Sequence, residues 1–88
     1  MTVVTNQPEV FSKNIRFLRK RKKMSRAKFS KFIEINPLEL YCIERGLTDS
    51  IYYKPLINLG EIYGISIDDI VATDLEEKYA GKRFHYSR

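Results

Sequence analysis

The segment from residue 24 to residue 46, MSRAKFSKFIEINPLELYCIERG, carries two helix starts separated by a tight turn, and nothing else in the sequence restricts the fold as much. Ser25 and Asn36 are N-cap residues, whose side-chain oxygens can accept from backbone N–H groups of the first helical turn. An apolar pair flanks each cap, Met24 with Phe29 and Ile35 with Leu40, at the N′ and N4 positions that staple the incoming chain to its helix. The second start carries two more signals. Pro37 falls at N1, where its missing N–H costs nothing, and Glu39 at N3 is placed to close a capping box. Gly46 then stops the helix after about ten residues. A short helix, a tight turn and a second short helix with a defined end make the skeleton of a helix-turn-helix.

Charge is distributed unevenly around this skeleton. Ten of the sixteen basic residues (Lys13, Arg16, Arg19, Lys20, Arg21, Lys22, Lys23, Arg26, Lys28 and Lys31) fall together with no acid among them. From Phe32 onward, six bases face ten acids. A block of one sign on one segment is either a phosphate-facing surface or a solvated helix face that keeps the protein soluble. Its position just before and within the helix-turn-helix favours the first.

Eighty-eight residues, 43% of them apolar and 31% charged, support one small globular domain. No apolar run approaches the ~20 residues that span a bilayer. The opening MTVVTNQPEV has neither the basic nor the long apolar region of a secretory signal. The single cysteine, Cys42, excludes an internal disulfide and suits a reducing compartment. The expectation is a cytoplasmic protein with no membrane contact.

Along the chain, residues 1–7 read as a flexible leader. A first helix is expected over 8–22, with Phe11, Ile15 and Leu18 on one apolar stripe. Helix 2 is expected near 26–33, burying Ala27, Phe29 and Ile33, and helix 3 near 37–45, burying Leu40 and Ile43. A loop follows over 47–54. Helix 4 is expected to start near Pro55 and end at Tyr63 before Gly64. Ser66 as cap, Asp69 at N3 and the Ile65–Ile70 pair start a fifth helix. No strand pattern competes, and the expected fold class is all-α, with the domain spanning 8–72. In the tail, residues 73–88, Thr73 with Glu76 can cap one more turn ending at Gly81. The closing KRFHYSR is an extended arm, a dimer contact or a disordered end.

The spacing Leu18-Arg19, Met24-Ser25, Phe29, Ile33, Leu40, Ile43-Glu44-Arg45-Gly46, followed by Leu59-Gly60, Tyr63-Gly64 and Ile65-Ser66-Ile67-Asp68-Asp69-Ile70, resembles the Cro/repressor (XRE-type) helix-turn-helix family of phage and bacterial regulators. The likeness covers roughly residues 11–71. It implies a five-helix, lambda-repressor-like bundle that lays its third helix in the major groove of double-stranded DNA and binds as a homodimer. It also implies an internal ion pair between Arg19 and Glu44. Ser25 and Arg26 at the start of helix 2, Arg45 at the end of helix 3, and Lys54 beyond the loop correspond to phosphate-binding positions. Asn36, Pro37, Leu38, Tyr41 and Cys42 correspond to base-reading positions. Of these, only Asn36 belongs to the side-chain types best suited to bidentate base recognition. Pro37 and Leu38 offer apolar contact to thymine methyls. Glu34 stands where the family usually has a turn glycine.

No cofactor or metal is expected. His85 has no second ligand at metal spacing, Cys42 reads as a small packing residue, and Asp68-Asp69 is accounted for by the cap. Among the aromatics, Tyr41, Tyr52, Tyr53 and Tyr86 fall off the core spacing. With no glycine-rich phosphate loop, nucleophile–base set or paired-carboxylate pocket, catalysis is not expected. The reading is a sequence-selective transcriptional regulator, most readily a repressor. Two rivals remain: a protein-interaction module on the same fold, of antirepressor or antitoxin-like kind, and a non-specific DNA binder.

Overall fold

The structure, a computed structural model, describes residues 2–81. Pro8 opens α1 (Pro8–Arg21), whose stripe of Phe11, Ile15 and Leu18 is buried together with Ser12 and Asn14. The helix ends where Lys23 turns to a positive φ of 55°. Ser25 starts α2 (Arg26–Ile33) by accepting from the Lys28 N–H at 3.2 Å. Asn36 starts α3 (Pro37–Glu44) by accepting from the Leu38 N–H at 2.8 Å, so the bond falls on Leu38 rather than on Glu39. Between them Glu34 takes the left-handed conformation at φ 63°, the position where a glycine would sit without strain. Asn58 holds it there, donating to the Ile33 carbonyl at 2.9 Å and to the Glu34 carboxylate at 3.1 Å.

Residues 2–4 are not a flexible leader. They form β1 (Thr2–Val4), which pairs antiparallel with β2 (Ser50–Tyr52) inside the expected loop, with Val3 opposite Ile51. Ile51 is buried and Val3 packs on the core, so the apolar inner face of this small sheet supplies the reason for the pairing. Thr5 extends the tie, donating its N–H to the Asp49 carbonyl at 2.8 Å and its hydroxyl to the Val71 carbonyl at 2.9 Å. β2 runs directly into α4 (Tyr53–Tyr63), which therefore begins ahead of Pro55. Proline is tolerated in that first turn because its N–H would have had no helical partner.

Ser66 caps α5 (Ile67–Ala72) through the Asp69 N–H at 3.1 Å. A further helix follows, α6 (Leu75–Lys78), capped by Asp74 rather than by Thr73. Thr73 is extended and closes α5, giving its hydroxyl to Asp69 at 2.9 Å. The domain thus reaches past residue 72: Leu75 is fully buried, and Asn14 accepts from its N–H at 3.0 Å while donating to the Ile70 and Thr73 carbonyls at 2.8 and 2.7 Å. Among the described residues the protein is mostly helical, with six helices and one two-stranded sheet around a single core of aliphatic and aromatic side chains. His85, Tyr86 and the rest of KRFHYSR lie outside the described residues.

Candidate functional site

Three helix ends converge on Glu44, at the C-terminus of α3. Arg19 grips its carboxylate with two prongs, Nε to Oε2 at 2.8 Å and Nη2 to Oε1 at 2.9 Å, and donates from Nη1 to the Met24 carbonyl at 3.1 Å. Glu44 is 2% exposed and the Arg19 side chain 16%. Such a fork fixes orientation as well as distance, so the end of α1, the entry to α2 and the end of α3 are held in one arrangement. The Glu44 carbonyl is satisfied too. The Ser12 hydroxyl donates to it at 2.9 Å, and Arg16 donates both to that carbonyl and to the Ser12 oxygen. A cation at a helix C-terminus complements the negative end of the helix dipole. The resemblance to the Cro/repressor family implied the pairing of Arg19 with Glu44. It gave no sign of Arg16, which looked like one more member of the basic block.

From this frame, α2 and α3 present an exposed surface. Ser25 and Arg26 open α2, both exposed, the Ser25 oxygen already serving as the helix cap. Arg45, just past α3, is exposed as well. Between them stands Tyr41, 38% exposed, with the Arg26 guanidinium 5.3 Å and the Arg45 guanidinium 5.7 Å from its ring centroid. Both lie within the ~6 Å at which a cation is attracted by an aromatic face. Lys54 is not brought to this cluster. It sits in the first turn of α4 and pairs with Glu34 at 3.5 Å, on the wall of a groove that Glu39 also lines.

The remaining residues expected to read bases divide further. Pro37 and Leu38 are exposed, Leu38 at 70%. The Asn36 oxygen is committed to its cap, which leaves only the amide N–H groups to donate. Cys42 is half-buried, its thiol in no disulfide, on one wall of a cavity of about 430 Å³ between α3 and the sheet. Asn36, Leu38 and Glu39 share that wall, and Thr2, Ser50, Ile51 and Tyr52 form the other.

Two other ion pairs tie α1, α5 and α6 together, away from the arginine cluster. Lys13 meets Asp74 at 2.9 Å, and Lys78 meets Asp69 at 2.6 Å. The hydrogen bond from Lys13 holds the Asp74 carboxyl below its ordinary value, and that from Lys78 does the same for Asp69. Both lysines are correspondingly raised by their hydrogen bonds to these carboxylates. Among the described residues there is no group of three metal-ligating side chains, and no helix is long and apolar enough to cross a membrane. No protein-family model, curated protein or solved structure matches the chain.

Proposed function

We propose that this protein is a sequence-selective DNA-binding transcriptional regulator, a repressor of phage or bacterial genes. It is built on the five-helix lambda-repressor-like plan, with the sheet and α6 as additions, and acts as a cytoplasmic homodimer with α3 in the major groove. The observation that carries this reading is the meeting of Arg26 and Arg45 at Tyr41. Two exposed guanidinium groups, from the first turn of α2 and the end of α3, flank the outer surface of the helix expected to enter the groove. Phosphate contacts from such positions fix register on the duplex, while the exposed side chains of α3 meet base edges. On this surface Pro37 and Leu38 would pack on thymine methyls, and the Asn36 amide would donate to an acceptor.

The test is duplex binding as a function of salt. With about four to six phosphates neutralised per monomer by Arg26, Arg45 and the exposed basic residues of α1 and α2, log K is expected to fall with log salt at a slope of roughly −4 to −5 per monomer. Absence of duplex binding at low salt would overturn the reading.

One observation favours a second reading, a protein-docking module. The cavity between α3 and the sheet is bordered by Leu38, 70% exposed, and Tyr52, 52% exposed, and carries Glu39 rather than a base. Leu38→Ala separates the two. Under the DNA reading it lowers discrimination between a selected and a scrambled duplex by about 1 kcal/mol with little change in salt slope. Under the docking reading it leaves any duplex binding untouched.

A further inference from the structure

We propose that Tyr41 is a positioning residue for the Arg26 and Arg45 guanidinium groups and not a reader of bases. The inference rests on the DNA reading above and names how that site is held ready. Arg45, the C-cap of α3, stands one turn beyond Tyr41 on the same side, whereas Arg26 arrives from α2, so the ring joins side chains from two separate elements. Among the described residues neither guanidinium group has a hydrogen-bonded or ion-paired partner, and each lies within ~6 Å of the Tyr41 ring centroid.

A guanidinium laid over an aromatic ring uses its flat face. Its N–H donors lie in the plane and stay available along the edge, the side that engages a phosphate in two-pronged fashion. One ring therefore does two jobs. Its electron-rich face offsets the mutual repulsion of two nearby cations, and it removes part of the rotational freedom that two long side chains would otherwise lose on binding. A ring occupied in this way is also poorly placed to contact a base edge. The anion that suits the pair is a run of neighbouring phosphates on one strand, so the gain is independent of sequence.

The experiment measures binding of wild type, Tyr41→Ala and Tyr41→Phe to a duplex recovered by selection from a random pool and to a scrambled duplex of the same composition, at two salt concentrations. Nitrogen-15 relaxation of the Arg26 and Arg45 Nε–H groups is measured in parallel on the unbound proteins. Tyr41→Ala is expected to weaken binding to both duplexes equally, by about three- to tenfold, because each arginine must then be ordered at the moment of binding. The salt slope stays unchanged because the same phosphates are neutralised. The two Nε–H groups become more mobile, and Tyr41→Phe restores both readouts because the ring and not the hydroxyl makes the contact. A loss confined to the selected duplex would make Tyr41 a base reader and overturn the inference. An unchanged affinity, unchanged arginine order, or failure of Tyr41→Phe to restore them would overturn it as well, with the DNA reading left standing. A wild-type protein that binds neither duplex overturns the DNA reading and this inference together.

Discussion

A carboxylate as deeply buried as Glu44 is stable only while its partner is present, because the low-dielectric interior makes an uncompensated charge costly. Glu44→Ala strands the Arg19 guanidinium, which retains its bond to the Met24 carbonyl but loses both prongs of the fork. Arg19 is partly solvated, which places the expected cost near the low end of the usual range, about 3 kcal/mol. In a domain of this size that corresponds to a fall of about 10 °C or more in melting temperature, read by circular dichroism. An unchanged melt would mean that the pair adds nothing to the fold. Single residues differ in how much of their role their own sequence reveals. The Arg19–Glu44 pair is readable only through the resemblance to the Cro/repressor family, since the two residues stand 25 apart in the sequence. Asn14 is not. An asparagine on the apolar stripe of α1 carries no mark of the backbone groups of residues 70, 73 and 75 that it satisfies, since those are brought to it only by packing. Tyr41 was legible as off the core spacing, but its two arginines were not, because Arg26 reaches it from another helix.

Elements show the same division between local and distant causes. The starts of α2, α3 and α5 follow from Ser25, Asn36 and Ser66, each of which bonds to an N–H within its own first turn. The strands could not be read, since TVV and SIY are too short to show an alternating pattern and exist only through pairing with each other. The start of α6 moved from Thr73 to Asp74, where Asp74 is fixed by Lys13 as well as by its own cap. That clasp gives the α5–α6 unit a pH dependence. Asp69 and Asp74 have folded values below the ordinary 3.8, so their contribution is complete above that pH and is lost as pH falls through the lower folded values. Lys13 and Lys78 lie above the ordinary 10.5, so their contribution is complete below that pH and is lost as pH rises through the higher folded values. Denaturant midpoints are expected to hold across neutral pH and to drop below about pH 4. Asp74→Asn keeps an N-cap but removes the charge. It should therefore lower the midpoint at pH 7 and show a smaller further drop in acid, and an identical acid profile for the variant and wild type would rule out the Lys13–Asp74 clasp as a source of that sensitivity.

At the scale of the whole molecule, the chain is closed on itself by the sheet. Removing residues 2–5 takes away the packing of Val3 on the core, the pairing with β2 and the bonds of Thr5 to Asp49, Val71 and Gln7. The expected loss is about 2–3 kcal/mol, combining one partly buried valine with a few backbone hydrogen bonds. Chemical denaturation of the shortened protein reads it directly, and an unshifted midpoint would show that β1 is ornamental. The uneven charge was plain in the sequence, but the structure divides it, with Lys13, Arg16 and Arg19 engaged in internal contacts and Lys20, Lys23, Arg26, Lys28 and Lys31 exposed, whereas closure by β1 was hidden because it joins residues distant along the chain. That closure also orders events in time. During translation, which adds about 5–20 residues per second, Thr2–Val4 are made roughly 2–10 seconds before Ser50–Tyr52. The first strand made must wait, unpaired, until the helices between have been synthesised, and the nascent chain can seal only from the far side of α3.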